Sequence, residues 1–476
     1  MIMLFLPAAV FSANVVEEYG NSFNKAAGQT QTPADNGKAW FYDESLGLFM
    51  HWGIHSLMEQ QPSWCMLKGY MNRGHTFFHP EKYYSMAQKF DPQAYDPDKW
   101  LAAAKKAGFT YAVMTSKHHD GYALWPSKYG EMNSGKFLNG RDLLKPYVEA
   151  CRKNGLRVGF YFSGVDWYHK DYPRWTERAT KDGLNYSVDG IDYSQWRRWP
   201  DDDPAEVERH LNDFYDYAKG QLKEILTRYG KIDILWFDGF PVDWPKSLKD
   251  HRKMVKARLE DIHKMIIELQ PDIVINNRAY GIPGDFQTPE RGDGSFPPDD
   301  YHVFQCDEWK RKWELCTIWG SHWGYDADKI YRSSEWVIRQ LAQCRARGGN
   351  FLLNSGPTPN GKQPANFYER CEEIAVWMAH SRASVIGAGA LEDNWKDYSD
   401  VPVTTGEGVW YLHVFPHNKS KTINLKNIPS QSDRVVLLRT GQDLQYKKNA
   451  GGMRITVPTE MRSELDDVVV VSWKKS

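Results

Sequence analysis

From Leu46 onward the chain alternates short apolar runs with longer amphipathic stretches. The runs are GLFMHWG, FTYAVMTS, LRVGFYFS, IDILWFD, DIVINN, HVFQCD and NFLLNSG. Each is rich in aromatic and β-branched residues and has the length of a strand buried on both faces. Between several of them, apolar positions recur at helical spacing and predict helices over 97–107, 141–154, 203–229, 248–270 and 329–347. Strand, helix and strand repeated this often predict a parallel α/β sheet. The number of repeats favours a (β/α)8-type, TIM-like barrel over an open doubly wound sheet, and no G-x-G-x-x-G follows a first strand to argue for a dinucleotide fold.

The pattern changes after about Ser384. VWYLHVF, KTINL, DRVVLLR, RITVP and DVVVVSW are short strands at close spacing, which predict a β-sandwich over 385–476 behind a catalytic barrel over 21–384. The first residues, MIMLFLPAAVFSANVVEE, form a short apolar run ending in small residues and read as a signal peptide and leader over 1–20, although without a basic first region. The run is too short to span a bilayer as a mature helix. The reading implies a periplasmic or secreted protein.

Composition narrows the function classes. Lysine plus arginine number 60 against 61 acidic residues, with no long basic run, so a nucleic-acid partner has no electrostatic footprint. The six cysteines show no C-x-x-C spacing and indicate neither a zinc site nor a disulfide framework. Twenty tryptophans are far above ordinary usage, as expected where ring faces stack on sugars or line a cleft. A tryptophan-rich core would give the same count.

In a parallel barrel the chemistry gathers at the C-terminal ends of the strands. Polar residues stand just there: His51 and Trp52 after the first run, His118, His119 and Asp120 after the second, Tyr161 and Ser163 ending the third, Trp236 and Asp238 the fourth, and Asn276, Asn277 and Arg278 the fifth. Asp238 closes ILWFDG, where a strand delivers a carboxylate to the barrel mouth; a helix N-cap is the ordinary alternative for such an aspartate. The following loop, NNRAYGIPGDFQTPERGDG, carries Asp285 and Glu290 and can bring a second carboxylate over the first. Two carboxyl groups flanking one bond are the usual requirement of glycoside hydrolysis. The histidines lack the H-x-H or H-E-x-x-H spacing that would make a metal site a strong reading.

The stretches GLFMHWGIHS, TSKHHDGYALWPSKY, IDILWFDG, INNR, GDFQTPE, WELCTIWGSHWGY and GGNFLLNSGPTPNG, in this order between about Phe41 and His380, resemble the glycoside hydrolase family 29 α-L-fucosidases. The resemblance implies a retaining exo-α-L-fucosidase that uses no metal or other cofactor and acts on fucosylated glycans. It implies Asp238 as nucleophile, Glu290 in TPE as acid/base, His51, His118 and His119 as partners of sugar hydroxyls, and Tyr161, Trp236 and Arg278 as pocket residues. Glu308 in CDEW and Glu314 in KWEL are rivals for the acid/base role. Trp64 matches a sugar contact of the family, but Ser63 stands where the family has a glutamate. A serine there leaves a substrate hydroxyl to some other group, or widens the pocket beside the segment from Cys65 to Pro80.

Three other readings remain at this point: a related exo-glycosidase for another L-sugar such as an α-L-galactoside, a non-catalytic carbohydrate-binding protein, and a metal-dependent hydrolase built on the histidines. Linkage preference, oligomeric state and the role of the C-terminal domain do not follow from the sequence. Trp395, Trp410 and Tyr411 there either bind sugar or cap the barrel.

Overall fold

A computed structural model describes residues 38–66, 76–172, 187–188, 191–192, 203–242, 244, 247–279, 281–291, 313–328, 330–392, 394–449 and 451–474. The leader over 1–20, the predicted strand HVFQCD and the rival Glu308 lie outside them.

Eight strands form one parallel sheet: β1 Leu46–Met50, β2 Tyr111–Lys117, β3 Arg157–Phe162, β4 Ile234–Phe237, β5 Val274–Ile275, β6 Glu290–Arg291, β7 Glu314–Ile318 and β8 Asn350–Ser355. Except for β5 and β6, which end the ladder on either side, neighbours in sequence are neighbours in the sheet, and β8 returns to pair with β1 (Leu46 opposite Phe351). Single parallel bridges, Asn276 with Phe286 and Gln287 with Trp313, join β5 through the approach to β6 to β7, so the sheet curls into a barrel. Two of these strands had no predicted counterpart. β6 is only two residues long, and β7 opens on a charged residue, Glu314, that interrupts the apolar pattern.

The helices that cover this sheet are α1 Pro97–Lys106, α2 Leu144–Lys153, α3 Pro204–Arg228, α4 His251–Leu269, α5 Ser334–Arg345 and α6 Ala365–Ser381. Their starts are written in the sequence. Asp96 accepts from the Lys99 amide with Pro97 in the first turn, Asp203 caps α3 ahead of Pro204, and Ser333 accepts from the Trp336 amide.

Alternation along the strands divides the core in two. Leu46, Leu48, Met50, Ala112, Met114, Phe160, Phe162, Leu235 and Phe237 face outward onto the helices. Phe49, Tyr111, Val113, Tyr161, Ile234, Trp236, Val274, Phe286, Cys316 and Leu352 face inward and fill the barrel. Gly47 must be glycine, since a Cβ there would stand 2.2 Å from the Tyr111 ring.

Beyond Ser384 the chain builds β9 Val403–Gly406, β10 Val409–Val414, β11 Thr422–Lys426, β12 Ser432–Leu437, β13 Gln442–Asp443, β14 Tyr446–Asn449, β15 Gly452–Thr456 and β16 Asp467–Trp473. They form a five-stranded antiparallel sheet, ordered β9-β10-β16-β12-β13, and a three-stranded one, β11-β15-β14. Trp395 and Trp410 are buried in the core of this sandwich, and Tyr411 packs against the barrel's outer core. The Trp377 indole N–H donates to the Asp466 carbonyl at 2.7 Å, tying α6 to the C-terminal unit. Trp377 and Tyr411 thus join the sandwich to the barrel, while Trp395 and Trp410 are buried within the sandwich.

Candidate active site

Strand parity places the polar cluster. A strand points every second residue to the same side, so the inward register of Phe49 continues to His51, that of Tyr161 to Ser163, that of Trp236 to Asp238 and that of Leu352 to Asn354. The ladder runs one step past each strand end: the His51 amide donates to Ser355 O and the Asp238 amide to Phe162 O. The barrel mouth therefore receives these side chains on a rigid frame.

The Asp238 carboxylate accepts from the Tyr161 hydroxyl at 2.8 Å and from Arg278 Nη1 at 3.3 Å, and His119 Nε2 stands 3.5 Å away. Burial alone would raise its pKa; His119, Arg278 and the Tyr161 hydrogen bond outweigh that and hold the carboxyl below the usual aspartate value. Asp238 is thus kept ionised. It caps no helix. Asn276 braces it from behind, with its amide bonded to both the N–H (2.7 Å) and the C=O (2.9 Å) of Phe237.

Arg278 fixes the second carboxylate. Its Nε donates to Thr288 Oγ1 at 2.8 Å and its Nη2 to the Thr288 carbonyl at 3.0 Å, which pins the Thr288-Pro289-Glu290 turn. Nη1 then donates to Glu290 Oε2 at 2.9 Å while contacting Asp238 Oδ1. Since one nitrogen contacts both, an oxygen of each carboxylate lies within about 6 Å of the other. Burial works against the charge of Arg278, and Glu290 and Asp238 more than restore it.

The three predicted histidines come together here. His118 stacks on Tyr161 at 5.4 Å with planes 2° apart, and His51 and His118 lie 5.6 Å apart. His51 Nδ1 is bonded to Asn354 Oδ1 at 2.7 Å, His118 Nδ1 to Ser63 Oγ at 2.6 Å and His119 Nδ1 to Ser163 Oγ at 2.7 Å. Burial holds His51 down at about 4 and His118 well below the usual histidine value, so both are neutral near pH 7. Trp64 is half-buried and meets His119 edge-on at 5.5 Å, beside Trp167.

Other expectations change. Trp236 does not turn its polar edge to the pocket: it is 2% exposed, its indole N–H donates to Glu314 Oε1 at 3.0 Å, and Arg278 lies over its ring at 4.7 Å. It is a platform under the guanidinium. Glu314 is buried inside the barrel, where it accepts from Trp236 and from the Tyr111 hydroxyl at 2.5 Å, and burial pushes its pKa up to about 7. With no face toward the mouth, it is not placed to protonate a leaving group. Asp120 is a brace as well: its oxygens accept from the Tyr83 hydroxyl and the Tyr122 amide. Asp285 is paired with Lys38 at 2.9 Å and accepts from the Ile275 amide. Ser63 is fully buried with its hydroxyl turned to His118, and residues 67–75, the segment expected to shape the wall beside it, lie outside those described. Sequence reasoning missed Asn354, Trp167 and Trp323, whose ring lies 5.0 Å from His51. Asn354 ends a strand as Asp238 follows one, and the same parity rule applied to NFLLNSG finds it.

A barrel mouth with two carboxylates bridged by one arginine, inside a ring of histidine and tryptophan, is the site of a glycoside hydrolase. The α-L-fucosidase family profile matches residues 12–382. Curated relatives include an α-L-fucosidase of Dictyostelium discoideum, 25% identical over 97% of this chain and 93% of that one, and the tissue α-L-fucosidase of Bos taurus, 25% identical over 88% and 84%. Among solved structures, α-L-fucosidase isoenzyme 1 of Paenibacillus thiaminolyticus superposes with a TM-score of 0.73 at 29% identity, covering 93% of this chain and 99% of its own. A glycoside hydrolase family 29 α-L-fucosidase of Bacteroides thetaiotaomicron, solved as a trapped covalent intermediate, has the same fold, with a TM-score of 0.74 at 23% identity over 93% and 97%. The chain belongs to the α-L-fucosidase family, glycoside hydrolase family 29.

Proposed function

We propose that this chain is a retaining exo-α-L-fucosidase that removes terminal α-L-fucose from glycans by double displacement. The observation that carries this reading is the Arg278 bridge, which brings an oxygen of Asp238 and an oxygen of Glu290 to one guanidinium nitrogen, an arrangement in keeping with two carboxyl groups flanking one bond. Asp238 attacks the anomeric carbon as Glu290 gives its proton to the departing oxygen, forming a glycosyl ester. Glu290, now a carboxylate, takes a proton from water, the water oxygen attacks the anomeric carbon, and Asp238 leaves with its charge restored. His51, His118, His119 and Trp64 receive the sugar. The covalent intermediate trapped in the Bacteroides protein is in keeping with this chemistry.

The test is hydrolysis of a panel of 4-nitrophenyl glycosides, with the anomer first released followed by proton NMR. Cleavage of the α-L-fucoside with α-L-fucose released first is the expected result. Preference for the α-L-galactoside would transfer the reading to that sugar, an inverted product would overturn the double displacement, and binding without turnover would make the chain a lectin-like protein.

One observation favours a second reading: a ring nitrogen each of His118 and His119 and an oxygen of Asp238 lie within 4.8 Å of one another and could hold a metal ion. Loss of turnover on exhaustive chelation, restored by a divalent cation, would establish it. The apolar leader supports export to the periplasm or medium, and N-terminal sequencing of the mature protein tests that. Among the described residues no helix is long and apolar enough to cross a membrane.

A further inference from the structure

Ser63 occupies the junction of a hydrogen-bond chain whose direction is fixed at both ends. An amide can only donate: the Ser63 N–H gives to the Tyr83 hydroxyl at 3.0 Å, and that hydroxyl gives to Asp120 Oδ2 at 2.6 Å. The Asp120 amide in turn gives to Ser63 Oγ at 3.0 Å. The serine oxygen is therefore an acceptor toward Asp120, and among the described residues the acceptor bonded to its own proton is His118 Nδ1 at 2.6 Å. Tyr161 already fixes the plane of the His118 ring by stacking. What remains for Ser63 to decide is which ring nitrogen carries the proton.

We propose that Ser63 is a positioning residue that sets His118 as a hydrogen-bond donor, its Nε2–H directed to a ring hydroxyl of the bound sugar. A ring whose Nδ1 accepts a hydrogen bond carries its proton on Nε2. His51 is set the opposite way. Asn354 turns its NH2 to the Trp323 carbonyl (2.8 Å), leaving its Oδ1 to accept from His51 Nδ1–H, so His51 Nε2 is an acceptor. Two neighbouring rings thus offer one donor and one acceptor, the complement of a single hydroxyl that accepts from His118 and donates to His51. An ether oxygen at that place fails to donate, and an ammonium fails to accept. This inference rests on the sugar-hydrolase reading above for the identity of the ligand, but the proton position does not depend on it.

Two measurements test it. In enzyme labelled with 15N-histidine, with His118 assigned by loss of its signals in His118→Gln, the wild type should show a protonated Nε2 and a bare Nδ1, and Ser63→Ala should show mixed tautomers. A protonated Nδ1 in the wild type would overturn the proposal whether or not Ser63→Ala folds. For the sugar contact, 4-nitrophenyl α-L-fucoside is compared with its 2-, 3- and 4-deoxy analogues. In the wild type one deoxygenation should lower kcat/KM about 10-fold beyond the loss intrinsic to the sugar, the worth of a neutral hydrogen bond. In Ser63→Ala that one penalty should shrink to less than about 3-fold while the other penalties persist. A uniform loss across all analogues would reduce Ser63 to a structural role and overturn the proposal. Absence of fucoside cleavage in the wild type would sink the fucosidase reading alone, with the NMR result still deciding the tautomer.

Discussion

Replacing Tyr161 with phenylalanine should move the acid limb of activity to higher pH. The substitution keeps the ring that stacks on His118 and Trp236 and removes only the hydroxyl 2.8 Å from Asp238 Oδ2. A hydrogen bond to a charged group is worth about 1.5 to 3 kcal/mol. The lower end applies, because Asp238 is 26% exposed and keeps Arg278 and His119 as partners. About 1.5 kcal/mol corresponds to roughly one pH unit. The sign follows from the state that acts: Asp238 must be ionised in the free enzyme, its pKa is held low by His119, Arg278 and Tyr161 against burial, and removing one of these raises it. The kcat/KM profile, which reports the free enzyme, should therefore lose its acid limb about one unit higher than in the wild type. The assay uses α-L-fucosyl fluoride, whose leaving group needs no proton, so that Glu290 does not shape the limb. The plateau rate should fall less than about 10-fold, since the carboxylate left behind is more basic. An acid limb within about 0.3 unit of the wild type, with kcat reduced across all pH, would refute the reasoning and make Tyr161 a substrate contact. The depressed pKa also couples to folding: the stabilisation from ionised Asp238 is present above the unfolded pKa and lost as pH falls through the folded one, so Tyr161→Phe should narrow the wild type's extra stability above about pH 4.

Asp238→Ala should reduce turnover by several orders of magnitude with an unchanged circular dichroism spectrum; near wild-type rate, or failure of a fluorinated fucosyl fluoride to label Asp238, would reverse its assignment. Glu290→Ala should slow natural linkages far more than fucosyl fluoride, with azide restoring the second step as a fucosyl azide of retained configuration; equal losses on both substrates would remove it as the acid. Gly121→Ala should cost about 2 to 4 kcal/mol in urea unfolding, because Gly121 has φ +80° and a Cβ there would stand 2.4 Å from Asp166 Oδ1, itself buried in an ion pair with Lys117. A change below about 0.5 kcal/mol would show that the HHDG turn relaxes freely.

The parts of this protein legible in its sequence are those that follow from periodicity. Runs such as ILWF and NFLLNS are buried on both faces, so they announced themselves as strands, and the rule that chemistry follows strand ends led to His51, His118, His119, Tyr161 and Asp238. Strand β7 escaped because its first residue is a glutamate. Glu314 is tolerated inside the barrel only because Tyr111 and Trp236, from two other strands, donate to it, and no local pattern reveals such partners. The partners of Ser63 were hidden for the same reason. Its chemical identity suggested a gap in the pocket, while its position, with φ +57° and three bonded neighbours in one network, Tyr83, His118 and Asp120, sets its hydroxyl against a histidine. Asp120 stands next to the functional pair in sequence yet turns away from it, as adjacent residues do.

Arg278 brings these observations into one account of the chemistry. In the proposed mechanism the first step removes the charge of Asp238 as an ester forms and creates a charge on Glu290 as its proton leaves. The negative charge moves from one side of a single guanidinium nitrogen to the other, while the net charge beside Arg278 does not change. A cation that already touches both ends needs little rearrangement during this transfer, which is the advantage of preorganised electrostatics over water. That advantage requires Arg278 to be held in place, and two residues hold it: Thr288 takes two of its donors, and the Trp236 ring lies 4.7 Å from its guanidinium. Trp236 in turn is held from below by Glu314. The buried carboxyl that looked like a rival acid is thus the foot of the column on which Glu290 and Asp238 rest. It stands on a barrel strand rather than a loop because a support of this kind must not move.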